Sequence, residues 1–175
     1  MNFLKIKNFL LVFLIIFSYL ISVVKTYAVD ITADRTISSS SDGDQYNIKT
    51  NNDIDVIVTN NSTLERNQKI FNVSAASLTG SSITIHLGSS VIAETNSIFS
   101  NGAELTITNT GTIEATNSKA INVSNSDGVS ITNNNNGVIK SNNNTILGDA
   151  GTGADNVTID NSGEIYTTAT GTESS

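Results

Sequence analysis

Cysteine, proline and tryptophan are all absent from this 175-residue chain. Without cysteine no disulfide framework can staple the fold and no lipid can be attached to a cysteine anchor, so stability falls to backbone pairing and apolar burial. Without proline nothing interrupts a long ladder of strands. Aromatic residues are scarce as well. Beyond residue 28 only Tyr46, Phe71, Phe99 and Tyr166 occur, too few to fill a thick globular core of about 150 residues. A thin, repetitive core is the alternative.

Basic residues number 9 against 16 acidic ones, a net charge of −7. Three of the nine, Lys5, Lys7 and Lys25, belong to the first segment of the chain. There, an apolar run from Phe9 to Val24 follows Lys5 and Lys7 and ends in the polar, small-residue stretch Lys25-Thr26-Tyr27-Ala28, the three-part layout of an export signal. The run is shorter than the roughly 20 residues that span a bilayer. Cleavage is expected after Ala28. The mature chain would then carry 6 basic against 16 acidic side chains, a net of −10, and such a surface repels nucleic acid and anionic lipid.

Short alternating segments recur along the rest of the chain: Ile54 to Val58, Ile83 to Leu87, Leu105 to Asn109, Val129 to Asn133 and Val157 to Asn161. Each reads as a strand with one buried face. With Val58, Ile85, Ile107, Ile131 and Ile159 as anchors the steps are 27, 22, 24 and 28 residues, and Ile31 is a candidate earlier anchor. Steps of this size are the mark of a solenoid. A second apolar position follows at Leu64, Val91, Ile113, Ile139 and Ile165, and a third at Tyr46/Ile48, Ile70/Phe71/Val73, Ile98/Phe99, Ala120/Ile121/Val123 and Ile146/Leu147. Three short strands per coil predict an all-β parallel β-helix of five to six coils, right-handed by the general crossover preference. The expected divisions are a signal peptide over 1–28, an N-terminal cap or first coil over 29–52, repeats over 53–166 and an incomplete, disordered tail over 167–175.

Two residues after the anchors stand Asn60, Asn109, Asn133 and Asn161, with Gly111, Gly137 and Gly163 in the same corners. Asparagine tolerates the left-handed backbone of a sharp bend, and inward-pointing amides can hydrogen-bond along the axis. A structural role is expected for all of them.

At this point the stretch Leu105 to Val123, LTITNTGTIEATNSKAINV, resembles the repeating unit of autotransporter passenger domains from Gram-negative bacteria, and the likeness extends over residues 30 to 170. The resemblance implies a right-handed parallel β-helix, export through the inner membrane, display by a carboxy-terminal outer-membrane β-barrel, and an adhesin-like role. No segments with barrel-type alternation are present, and TTATGTESS after Tyr166 supplies neither a third strand nor a cap. A truncated or split passenger is therefore expected, with its barrel encoded downstream if at all.

No residue stands out as catalytic, cofactor-binding or metal-ligating. His86 is the only histidine; alternation places it outward beside Thr108 and Thr132, and alone it completes no typical zinc or copper site. Gly148-Asp149-Ala150-Gly151 resembles a serine-protease motif with alanine in the nucleophile's place. Ala150 to Val157 matches one calcium-binding nonapeptide, a motif that needs tandem copies. Asp42/Asp44 and Asp53/Asp55 lack the spaced ligands of an EF-hand loop. Pectate-lyase-like enzymes share the β-helix but use clustered aspartates beside a basic residue, and here the only arginines are Arg35 and Arg66. The Asn-x-Ser/Thr triplets at Asn60, Asn61, Asn72, Asn122, Asn143 and Asn156 follow from composition.

The expected function is thus a non-enzymatic, cofactor-free, secreted or surface-displayed adhesin-like fragment, meeting an extracellular receptor or matrix through loops such as 65–69. It would be periplasmic if no barrel is supplied. The alternative is a structural envelope or matrix element that self-associates through the solenoid's open end; a polysaccharide-acting enzyme ranks below both. Ice or crystal binding by an outward row of Thr84, Thr106, Ser130 and Thr158 would need more than the single Thr106-x-Thr108 pair that this alignment yields.

Overall fold

The computed structural model describes residues 28–49, 52–59, 61–74, 78–102, 104–148 and 156–168. The expected signal peptide, except for Ala28, lies outside these residues, as do Asn60, the segment 149–155 and the tail from residue 169.

Among the described residues eighteen strands, β1 to β18 in chain order, form three parallel sheets of six, and there is no helix. Sheet 1 stacks β2 (Arg35–Ile37), β5 (Asp55–Val58), β8 (Ser81–Ile85), β11 (Leu105–Asn109), β14 (Ser130–Asn133) and β17 (Thr158–Asn161). Sheet 2 stacks β3 (Ser41–Asp42), β6 (Thr63–Arg66), β9 (Ser90–Ala93), β12 (Thr112–Ala115), β15 (Val138–Ser141) and β18 (Glu164–Thr167). Sheet 3 stacks β1 (Ala28–Ile31), β4 (Gln45–Ile48), β7 (Phe71–Val73), β10 (Ile98–Asn101), β13 (Ile121–Asn125) and β16 (Ile146–Leu147). The chain visits the sheets in the order 1, 2, 3 and returns, making five complete coils of a β-solenoid. Each strand pairs with its equivalents one coil below and above, about 4.8 Å away.

The strands are short and rich in isoleucine, valine and threonine, which suit a pleated, half-buried surface. Their alternation sends Val56, Ile83, Ile107 and Ile131 inward from sheet 1, Leu64, Val91, Ile113 and Ile139 from sheet 2, and Tyr46, Phe71, Ile98 and Ile121 from sheet 3, all buried in one apolar cluster. Because each coil contributes only one or two such residues per sheet, the core stays thin and no further aromatics are needed.

The pairing register departs from the repeat alignment in the lower coils. Ile85 pairs not with Ile107 but with Asn109, and Ile107 pairs with Ile83. The inward column at the sheet 1 to sheet 2 corner therefore reads Ile37, Val58, Ile85, Asn109, Asn133, Asn161. Aliphatic side chains fill it below and asparagines above. Ile31 is not an anchor of this column: it lies in sheet 3, paired with Ile48. Phe99 and Leu147 are not core residues either, since each follows an inward isoleucine and occupies the outward row of Asn72 and Asn122.

The two ends differ. At the lower end Arg35 occupies the inward column that holds Val56, Ile83, Ile107, Ile131 and Ile159 above it. Its guanidinium lies 5.5 Å from the centroid of the Tyr46 ring, which packs in turn on Phe71. A buried aromatic face holds a cation well, so the exposed Arg35 sets a charge over the core at this end. At the upper end Ile159 is 48% and Tyr166 41% exposed. The ladder of β18 continues through Thr167, and the Thr168 amide donates to the Ser141 carbonyl, so pairing runs beyond residue 166.

Candidate functional surface

A filled solenoid offers its corners, its outward faces and its two ends. Polar side chains at one corner and on one face bond to one another. At the sheet 1 to sheet 2 corner the Asn109 Nδ2 donates to Asn133 Oδ1 at 2.9 Å, and Asn133 Nδ2 to Asn161 Oδ1 at 2.8 Å. The same amides donate to the carbonyls of Gly111 and Gly137 in their own turns and of Val138 and Glu164 in the coil above. Asn109 and Asn133 are buried, and this ladder gives a further donor to the Gly111 and Gly137 carbonyls, which also accept from the Val138 and Glu164 amides. Both are structural.

On sheet 3 the outward row is tied together in a similar way. Gln45 and Asn72 donate to Asn47 Oδ1, and Asn47 donates to Asp30, which also pairs with Lys49. Sheet 2 carries the Lys140–Glu114 ion pair at 2.9 Å, and its hydrogen bond raises the Lys140 pKa.

His86 follows β8 into the corner, where its Nδ1 lies 3.1 Å from the Thr59 hydroxyl. It does not stand beside Thr108 and Thr132, which align with Thr84 instead. The two-residue slip of the alignment accounts for the difference. Asp55 accepts from Ser82, and among the described residues no group of three or more His, Cys, Asp or Glu is placed to hold a metal.

The corner from sheet 2 to sheet 3 is the most varied. Arg66 ends β6 at an inward position where the coils above have Ala93, Ala115 and Ser141. Only small side chains fit that column. The longer Arg66 turns its guanidinium along the corner, donating to Gln45 Oε1 at 2.7 Å and to the Lys69 carbonyl at 3.1 Å, while its Nε stays buried without a partner. Burial lowers the Arg66 pKa, and the charge of Asp44 opposes that shift. Lys69 sets its ammonium 3.4 Å from the centroid of Phe99 one coil up, and burial lowers its pKa too. Shallow grooves flank this ridge. One is lined by Glu65, Arg66, Asn67, Glu94 and Asn117, the other by Gln45, Gln68, Lys69, Asn72 and Thr95.

The structure thus joins the expected contact loop 65–69 to the coils above and below it. Sequence reasoning missed the inward Arg66 and the outward Phe99. The signal for Phe99 was there: in a period-2 strand the residue after a buried isoleucine faces out. This chain matches no protein-family model, no curated protein and no solved structure.

Proposed function

We propose that this chain is an exported, non-enzymatic β-helix of the autotransporter-passenger type, displayed outside the cell and binding an extracellular receptor or matrix through the ridge of Arg66, Lys69 and Phe99. The observation that carries the reading is a three-sheet solenoid whose interior is filled by aliphatic side chains, leaving chemistry to its shallow corners. The export-type first segment supports a location outside the cytoplasm. His86 is bonded to the Thr59 hydroxyl at an exposed corner, and among the described residues no carboxylate hydrogen-bonds to it to orient it as the base of a nucleophile–base pair, which favours binding over turnover.

The test is to produce the full chain in a Gram-negative host, sequence the amino terminus of the exported product, and measure its adhesion to immobilised matrix proteins and glycans. Cleavage after Ala28 and adhesion that falls about tenfold or more in the Arg66→Ala/Lys69→Ala variant are expected. An uncleaved cytoplasmic chain, or adhesion unchanged by the double substitution, contradicts the proposal.

A second reading, self-association, is favoured by the unequal ends. Ile159 offers apolar surface at the top, whereas Arg35 would set a charge against it in any head-to-tail stack. Assembly would therefore stop at a top-to-top pair. Arg35→Ile removes the block, and longer, concentration-dependent assemblies are expected in sedimentation velocity. A size distribution identical to that of the parent chain contradicts this role for Arg35.

A further inference from the structure

We propose that the outward face of sheet 1 binds the surface of ice. The register of the sheet places Ser82, Thr106, Ser130 and Thr158 in one row, and Thr84, Thr108 and Thr132 in a parallel row two residues along the strands. Three consecutive coils thus present hydroxyl pairs, Ser82/Thr84, Thr106/Thr108 and Ser130/Thr132, where alignment by sequence yields one.

Three properties of the face narrow what it fits. The first is availability. Among the described residues the hydroxyls of Thr84, Thr106, Thr108, Ser130, Thr132 and Thr158 make no hydrogen bond within the protein; Ser82, bonded to Asp55 at the rim, is the exception. On sheet 2 the row Thr63, Ser90 and Thr112 is also without side-chain hydrogen bonds, but its neighbouring row is Glu65, Ile92, Glu114 and Lys140, so only sheet 1 sets hydroxyls side by side in two rows.

The second is charge. The six hydroxyl positions of these coils are neutral on a chain of net charge −7, with carboxylates only at the margins, Asp55 below and Asp160 above. A charged ligand finds no complement here.

The third is periodicity. Coils repeat about 4.8 Å apart and alternate residues about 6.7 Å apart along a strand, so the hydroxyls mark a nearly rectangular grid. Threonine is branched at Cβ and stiff at χ1, which fixes each hydroxyl and methyl in place. A rigid two-dimensional grid suits a ligand with its own lattice, and the oxygens of hexagonal ice repeat on this scale in two directions. A crystalline polysaccharide also has a lattice, but sugar rings are usually gripped by aromatic platforms, and sheet 1 contains none. Ice is therefore the occupant the face favours.

This inference is independent of the Arg66–Lys69 ridge. Its test is inhibition of ice recrystallisation by the exported chain, compared with Thr108→Glu, Thr132→Glu and a control, Glu114→Gln, on sheet 2. Circular dichroism melts verify that each variant is folded; Thr108→Ser and Thr132→Ser, which keep the hydroxyl but lose the methyl, serve if a glutamate variant does not fold. Inhibition by the parent chain and the sheet 2 control, lost or at least about tenfold weaker in the folded sheet 1 variants, supports the proposal. No inhibition by the parent chain overturns it, as does inhibition that survives both sheet 1 substitutions. Adsorption to crystalline cellulose or chitin without any effect on ice overturns it in favour of a polysaccharide lattice.

Discussion

Gly111→Ala is expected to unfold the middle of the solenoid. A methyl group on Gly111 would lie 2.5 Å from the carbonyl oxygen of His86 and closer still to that of Ser89. Both oxygens belong to the backbone of the coil below. The Gly111 corner is one of the short paths between sheets 1 and 2, with Ile113 only four residues beyond Asn109, as Ile165 is beyond Asn161, where six separate Ile85 from Val91. So tight a turn nests directly on its neighbour, and the backbone has no slack with which to move away. Overpacking against immobile atoms costs about 3 kcal/mol or more, which for a chain of this length lowers Tm by roughly 10 °C. Thermal denaturation checks it. Hydrogen exchange should show the loss centred on β8 and β11, since each coil of a solenoid touches only its neighbours. A melt within a degree or two of the parent chain would refute the nested corner.

Asn133→Leu is expected to be nearly as damaging, for the opposite reason. Leucine preserves volume but removes the amide that donates to Asn161, Gly137 and Glu164 and the oxygen that accepts from Asn109. Four hydrogen bonds are lost, and because Asn109 keeps the Gly111 and Val138 carbonyls and the Gly137 carbonyl keeps the Glu164 amide, each costs about 0.5–1.5 kcal/mol rather than the full penalty of an unpaired group. The comparison that isolates the effect is Ile85→Val, in the same column two coils lower, where the neighbouring Val58 is aliphatic. That change should cost only about 1 kcal/mol. If Asn133→Leu melts no lower than Ile85→Val, the ladder does not hold the upper corner together.

Much of the fold was legible because burial in a solenoid is periodic in sequence. The second-strand positions Leu64, Val91, Ile113, Ile139 and Ile165 form one unbroken column, and Leu64 and Ile113, each between two polar neighbours, can face only one way. The first-strand column was harder to read. It changes from aliphatic to asparagine between Ile85 and Asn109, so aligning apolar with apolar shifted the lower coils by two residues. Such a slip keeps every side chain on its proper face, and alternation alone cannot detect it. It hid the paired hydroxyl rows on sheet 1 and placed His86 beside the wrong threonines. The Arg66–Lys69 ridge was legible only as a loop. The Phe99 contact and the inward course of Arg66 depend on which coil lies above, and that is set by register rather than by local pattern.

The measurement that tests this account most directly uses the absence of native cysteine. The pair Thr84→Cys/Thr108→Cys would sit on directly paired residues of neighbouring coils, about 4.8 Å apart and within disulfide reach. The pair Thr84→Cys/Thr106→Cys would lie on a diagonal of about 8 Å, beyond that reach. Under mild oxidation the first pair should close and the second stay reduced. Closure of the second pair alone, or of neither, would contradict the coil-on-coil register on which the fold, the charged lower end and the hydroxyl face all depend.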